Sequence, residues 1–480
     1  MKIDSQHFVQ NARIALDNQK LQGALSRFAD AFPKLRQQAC DGLPEFRELT
    51  DIARDIKDHT LENLDFYLEM FEARVAAAGG IVHWARDAEE ACSIVRSICT
   101  DQGARLVIKS KSMVTEEVEL NAALEEAGLR IVETDLGEYI IQLRAEPPSH
   151  ILAPAIHLTK EDVAETFQGH HHDIERGRGP VERRQLVEEA RLVLRDEFLN
   201  ADVGITGANF LVAETGSVVL VTNEGNADLT ASLPRTHIAI TGIEKVVPTL
   251  ENATTMLRLL ARSATGQEFG TYTTFFTGPK RPEDPSGPDN FHVVLVDNGR
   301  SAMLGTDFQD MLRCIRCSAC LNHCPVYHAT GGHAYGSNYS GPMGAVLTPS
   351  LVGIEKTGHL PNASSFCGRC EEVCPVQIPL PKLMRHWRER EFERHLAPST
   401  MRHGLKAWAI IARFPRLYRW VLQRAAGFLR SRARGSSEDG TGWISRLPGI
   451  AAGWTRYRDM RAPARATFQK QWRSGRGEQA

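Results

Sequence analysis

The chain has 480 residues, 42% of them hydrophobic and 24% charged, and a net charge of −2 at neutral pH. That length predicts two or three domains with a sizeable core, and the near-neutral balance excludes bulk affinity for nucleic acid. No apolar run is long enough for a transmembrane helix, and Met1-Lys-Ile-Asp-Ser-Gln-His-Phe8 has no apolar secretion region, which predicts a cytoplasmic location.

Residues 3 to 78 read as helical. Across 51–71, apolar Ile52, Ile56, Leu61, Leu64, Tyr67 and Phe71 recur near the 3.6-residue period, which predicts an amphipathic helical lead-in. The pattern switches at Gly79. Residues 81–84 read as a strand, 87–101 as a helix ending near Gly103, 105–108 as a buried strand and 129–133 as another. Strands alternating with helices predict an α/β domain with a mainly parallel sheet. Lys109, Lys111 and Ser112 fall where a strand ends and a helix begins, the place where open α/β sheets receive ligands and anions. A solvated helix start with two exposed lysines accounts for them equally well.

Residues 138–142 lead to a break at Pro147-Pro148, and 149–157 read as strand or turn. His170-His171-His172 reads as a solvated loop, because consecutive side chains do not converge on one metal and no further ligand stands at the right spacing. Residues 180–199 read as a helix. Two apolar runs flank Glu214-Thr-Gly216 and predict a hairpin with polar tips; Glu214 and Glu224 are acid–base candidates without a visible partner. Residues 236–240 and 244–247 are expected to continue the sheet, 250–262 to form a helix, and 291–297 the last strand. The segment 278–289, with Pro279, Pro282, Pro285 and Pro288, reads as a loop or lid.

Seven of the ten cysteines then fall between positions 314 and 374. Cys314, Cys317, Cys320 and Cys324 follow the C-x2-C-x2-C-x3-C-P run of a [4Fe-4S] ferredoxin. Cys367, Cys370 and Cys374 repeat its last three positions, with Ser364 where a leading cysteine would stand. Two-residue gaps wrap a tight loop around one face of a cube-shaped cluster. The longer step and the proline carry the last cysteine to the other cluster. One cluster is therefore expected on Cys314, Cys317, Cys320 and Cys374. The other falls to Cys324, Cys367 and Cys370, with Ser364, water or nothing in the fourth place. Zinc sites use other spacings, and thiols this close in a reducing compartment read as metal or redox groups rather than disulfides. Between the blocks, the Gly-rich residues 331–344 are expected to offer backbone N–H donors to sulfur. Cys40, Cys92 and Cys99 read as ordinary buried thiols. The end of the chain is basic: 385–480 hold 21 Lys and Arg against 7 Asp and Glu, and six of the seven tryptophans. This predicts an acidic partner or peripheral contact with an anionic membrane. Within it, 434–442 read as a flexible linker, and 443–480 as a segment ordered against a partner.

Lys109-Ser-Lys-Ser-Met113 with Thr115-Glu116-Glu117, Gly204-Ile-Thr-Gly207, Ala213-Glu-Thr-Gly216, Thr222-Asn-Glu-Gly-Asn226 and the two cysteine blocks together resemble the lactate utilisation protein B family over residues 50–470. The resemblance implies the iron–sulfur subunit of a cytoplasmic complex that oxidises L-lactate to pyruvate. It implies a LUD domain, similar in fold to isomerase and CoA-transferase α/β domains, followed by a two-cluster ferredoxin-like module with the cysteine assignment given above. It also implies two partners, a cysteine-rich subunit and a smaller LUD-domain subunit. The expected layout is a helical region at 1–78, the LUD domain at 79–300, the cluster domain at 301–395 and a basic segment at 396–480. No flavin or dinucleotide fingerprint stands in the sequence, which assigns the hydride chemistry to a partner. Two other readings share the cysteine pattern. One is an iron–sulfur subunit of a glycolate or heterodisulfide oxidoreductase; the other is a redox-sensing regulator, for which the sequence offers no helix-turn-helix.

Overall fold

Ten strands lie in the α/β part of the computed structural model, which describes residues 3–172, 182–434, 442–464 and 466–477. They are β1 (Ile81–Ala85), β2 (Leu106–Lys109), β3 (Arg130–Glu133), β4 (Val203–Thr206), β5 (Phe210–Val212), β6 (Ser217–Thr222), β7 (Thr236–Gly242), β8 (Val246–Val247), β9 (Tyr272–Phe276) and β10 (Asn290–Val296). Six pair in the order β1-β10-β7-β4-β2-β3, parallel throughout. β2, β4 and β7 are buried along their whole length. That is why they read as apolar runs rather than alternating ones: helices cover both faces of a parallel sheet.

A second sheet, β8-β5-β6-β9, was not visible in the sequence. Residues 244–247 do not extend the first sheet. Glu244 and Lys245 sit in a short 3₁₀ turn, and β8 pairs with β5. The expected hairpin is present as antiparallel β5 and β6. β9, which joins β6, is a largely exposed edge strand and carries no clear alternation to read.

Four helices precede the sheet, Phe8–Asp17, Gln19–Asp41, Phe46–Glu62 and Leu64–Ala77. The stretch 51–71 is not one helix. It breaks at Asn63, whose side-chain amide donates to the His59 carbonyl at 2.8 Å. Helix Gln19–Asp41 reaches far along the chain: Gln22 donates to the Ala329 carbonyl at 2.8 Å, and Arg36 to that of Val373 at 2.9 Å. Leu25, Phe28, Met256, Met311, Tyr327 and Leu383 share one core, so the N-terminal helices, the α/β part and the cysteine module bury apolar surface together.

Residues 149–157 form turns around His150, not a strand. His150 is wholly buried. Its Nδ1 accepts from the amides of Leu152 (3.0 Å) and Ala153 (3.2 Å), leaving Nε2 to donate to Asn322 Oδ1 at 3.0 Å. His171 also departs from the solvated loop expected of it. It is buried between Tyr139, whose hydroxyl lies 2.9 Å from Nε2, and Glu189, 2.7 Å from Nδ1.

Met1–Arg394 form one compact unit and His395–Ala480 a second. The second carries helices Ser399–Ala412 and Pro415–Ser431, neither of which buries a residue. Of the linker expected at 434–442, residues 435–441 lie outside the described residues. After it, Trp443–Ile444 pair antiparallel with Met460–Arg461, and Phe468–Gly477 are helical, so this end has regular structure of its own.

Candidate iron–sulfur site and adjoining cleft

The two cysteine blocks fold as one turn used twice. Arg316 precedes Cys317 and Phe366 precedes Cys367, with φ of 60° and 55°. Ser318 and Gly368 follow these cysteines, with φ of 62° and 82°. Short helices Ala319–Asn322 and Arg369–Glu372 come next and carry Cys320 and Cys370. Left-handed residues on both sides of a cysteine curl the backbone into a concavity that suits an anionic sulfur. Three of these four residues are not glycine and bear the steric cost of that conformation.

Cys314, Cys317, Cys320 and Cys374 line one cavity, walled by Met311, Ile315, Met343, Val376 and Ile378. Cys324, Cys367 and Cys370 line a second, together with Ser364 and His323. Each cavity draws on both blocks. Cys367 is exposed, whereas Cys317, Cys324 and Cys370 are buried. The Ile378 amide donates to Cys374 Sγ at 3.3 Å. Backbone N–H groups of Ala319, of Val326 and Tyr327, and of Glu371 act on Cys317, Cys324 and Cys370. The donors thus come from residues just after each cysteine rather than from 331–344. That loop supplies Tyr335 instead, whose buried hydroxyl lies against Cys324 with no oxygen or nitrogen partner among the described residues. The Ser364 hydroxyl accepts from the Phe366 amide at 3.1 Å.

Burial pushes the thiols of Cys317 and Cys370 up to about 12 and that of Cys374 to about 11, so iron must displace protons on binding. Among the described residues no three His, Cys, Asp or Glu groups converge on a single ion. The thiols ring cavities instead. Soft donors, apolar walls and N–H groups directed at sulfur fit two four-iron clusters.

A buried ionic network joins this module to the α/β part. Arg300, fully buried, donates to both Glu117 oxygens at 2.8 Å and to Glu244 Oε2 at 2.7 Å. Arg316 donates to Glu244 Oε1 at 3.2 Å and stacks 5.1 Å from the Tyr339 ring centre. The Tyr339 hydroxyl donates to Glu117 at 2.6 Å. Burial raises the Glu244 carboxyl, but Arg300 and Arg316 outweigh it and hold it at about 2. Lys57 Nζ donates to the Glu244 carbonyl at 2.5 Å. Burial lowers Lys57 and Lys245 to about 8, and both lie within electrostatic reach of Cys314.

Beyond this network a cleft opens at the C-terminal edge of the parallel sheet. Ser110, Lys111 and Ser112 after β2, Gly207 and Asn209 after β4, and Thr241 in β7 line it, as do Glu224, Lys245 and Arg316. Of the basic pair expected at the end of β2, only Lys111 reaches it. Lys109 is wholly buried and paired with Glu133 (2.8 Å) and Glu116 (3.0 Å), a structural role. Glu214 accepts from the Leu250 amide at 3.0 Å and so caps a helix. Glu224 stands at the cleft with its carboxyl raised, first by burial and then by Asp135.

Residues 68–296 match the LUD domain and residues 310–378 the 4Fe-4S dicluster domain. Lactate utilization protein B of Bacillus licheniformis is 44% identical over 483 residues, covering 100% of this chain and 98% of that protein. The chain belongs to the lactate utilization protein B family. The protein of that name from Geobacillus kaustophilus is 45% identical over 471 residues (98% of this chain, 97% of that one), and the Bacillus subtilis protein 44% over 471 (98% and 96%). The match to the 4Fe-4S dicluster domain, with its clustered cysteines, shows two [4Fe-4S] clusters as the cofactors. Sequence reading missed Lys245 and Arg316 as cleft residues of this family member. Charged side chains inside a buried stretch and inside the C-x2-C turn were the available signal. Among the described residues no helix is long and apolar enough to cross a membrane.

Proposed function

We propose that this chain is the iron–sulfur electron-transfer subunit of a cytoplasmic complex that oxidises L-lactate to pyruvate. The grouping of seven cysteines about two cavities, in a chain of the lactate utilization protein B family, carries the reading. Cys314, Cys317, Cys320 and Cys374 hold one cluster; Cys324, Cys367 and Cys370 hold the other. When bound, these clusters supply one-electron carriage. The chain's own residues set the conditions. Met311, Ile315, Val376 and Ile378 exclude water from the first cavity. Lys57, Lys245 and Arg316 stand near Cys314 with Glu244 as the opposing charge, which favours the more negative reduced state. A cysteine-rich subunit and a smaller LUD-domain subunit complete the assembly. Helices Ser399–Ala412 and Pro415–Ser431 expose Trp408, Phe414 and Trp420 amid arginines, a surface for an acidic partner or an anionic membrane.

Iron and acid-labile sulfide on anaerobically purified protein, with EPR before and after L-lactate and the partner subunits, test this. About eight irons and lactate-dependent reduced-cluster signals are expected. Full clusters that ignore lactate would overturn the substrate, and a single zinc without sulfide would overturn the cofactor.

A further inference from the structure

We propose that the cleft at the C-terminal edge of the parallel sheet binds a small 2-hydroxy- or 2-oxo-monocarboxylate, with Lys245 and Thr241 as the groups that receive its carboxylate. The choice of acid rests on the lactate reading; the anion site stands on geometry.

Position is the first argument. From β2 the chain runs outward to β3, then returns to the other side of β2 with β4, β7 and β10. The loops after β2 and β4 therefore part at a reversal of strand order, where open parallel sheets leave a crevice for ligands. Those loops are packed tightly at its floor. A Cβ on Gly207 would lie 3.0 Å from Ser112 Oγ, a tight approach between the two loops.

Two polar groups in the cleft wall lack partners. Lys245 is 6% exposed and makes no hydrogen bond or ion pair with a described residue. Its near charges are Arg316 and Lys57, both like charges, and Glu244 and Cys314, both opposing; Glu244 is already engaged by Arg300 and Arg316, and Cys314 belongs to the first cysteine cavity. An ammonium ion buried without a directly paired counter-charge is costly, and an anion relieves that cost. Thr241 Oγ1 is buried without a hydrogen-bond partner among the described residues and lines the same cleft. β7 ends one residue after Thr241, and Lys245 belongs to the turn that follows.

Charge then selects the ligand. Lys111, Lys245 and Arg316 line the cleft with Asp135 and Glu224, and Arg316 is shared with Glu244, so the lining carries little net positive charge and suits a monoanion better than a phosphate dianion. The Glu224 carboxylate lines the same cleft and is suited to accept from the hydroxyl at the other end of a short 2-hydroxy acid. Arg316 and Ile151 line both this cleft and the first cysteine cavity, so one layer of side chains separates a bound acid from the Cys314–Cys317 turn.

Anaerobic calorimetry on the full-length, cluster-loaded protein provides the test, with L-lactate, pyruvate and inorganic phosphate as probes. Saturable binding of a monocarboxylate, not displaced by phosphate, is expected. It should weaken about tenfold or more in Lys245→Met and measurably in Thr241→Val, as loss of a charge-assisted and a neutral hydrogen bond respectively. Iron content and resting EPR spectrum should stay those of the wild type. If Lys245→Met does not fold, Lys111→Met replaces it, with weakened binding again expected. Absence of monocarboxylate binding overturns the proposal. So does unchanged binding in Lys245→Met, which leaves Lys245 only its electrostatic role beside Cys314. Lactate-dependent cluster reduction in the full complex without binding to this chain sinks the cleft and spares the electron relay. Binding here without cluster reduction does the reverse.

Discussion

Arg300→Met tests whether the buried network couples the cysteine module to the α/β part. The wild-type guanidinium is fully buried and donates to Glu117 twice at 2.8 Å, to Glu244 at 2.7 Å and to the Asp297 carbonyl at 3.1 Å. Methionine keeps an unbranched apolar stem and removes every one of these donors. Glu117 retains Tyr339 and Asn298, and Glu244 retains Arg316, but two buried carboxylates lose their shared cation. Removing one partner of a buried ion pair costs about 3–5 kcal/mol. With an unfolding entropy of roughly 2.1 cal/mol/K per residue, the unit Met1–Arg394 should lose about 4–6 °C in melting temperature. The comparison is made on cluster-loaded protein at pH 7 and one fixed scan rate, because unfolding that releases clusters is irreversible. The double variant Arg300→Met/Glu117→Gln should lose less than the sum of the two single variants, since they break the same bonds. A melting temperature unchanged in Arg300→Met, or strict additivity in the double variant, would refute the coupling.

Cys317→Ala should drop the iron content from about eight to about four, whereas Cys92→Ala, whose thiol donates to the Val118 carbonyl at 3.2 Å, should leave it unchanged. Gly344→Ala places a Cβ 1.9 Å from the Tyr339 carbonyl oxygen; a loss above about 3 kcal/mol, read as a melting shift or as insolubility, is expected. Burial holds His150 at about 3 against an ordinary 6.5. Its neutral form therefore contributes stability that is complete above pH 6.5 and is lost as pH falls towards 3. Melting temperatures followed over that range should fall less steeply in His150→Gln than in wild type. Glu244, held at about 2 against 4.5, contributes stability that is complete above pH 4.5 and is lost as pH falls towards 2. Glu244→Gln should flatten the melting profile below pH 4.5.

Local pattern made the cysteine blocks, the parallel strands and helix Leu250–Thr265 legible, because each is dictated by spacing or periodicity within a short stretch. What stayed hidden was set by distant partners. Arg300 stands 56 residues from Glu244 and 183 from Glu117, and nothing local marks those pairs. His171 looked solvated among polar neighbours, yet Glu189, 18 residues on, draws it inward. Lys109 and Lys111 look alike in sequence. Burial against Glu133 takes the first out of reach and leaves the second facing the cleft. The left-handed turns at Arg316 and Phe366 were invisible for another reason: neither is a residue type that announces positive φ.

Because each cavity takes cysteines from both blocks, neither can be completed early in synthesis. Cys374, the last cysteine of the first cavity, leaves the ribosome 60 residues after Cys314. At roughly 5–20 residues per second that interval lasts about 3–12 s. Helix Gln19–Asp41 waits longer still, since its anchors at Ala329 and Val373 are among the last parts of the module to emerge. Throughout that time the nascent chain displays an incomplete set of free thiols and an uncovered apolar helix. Iron delivery and chaperone protection must therefore be timed to the emergence of the second cysteine block.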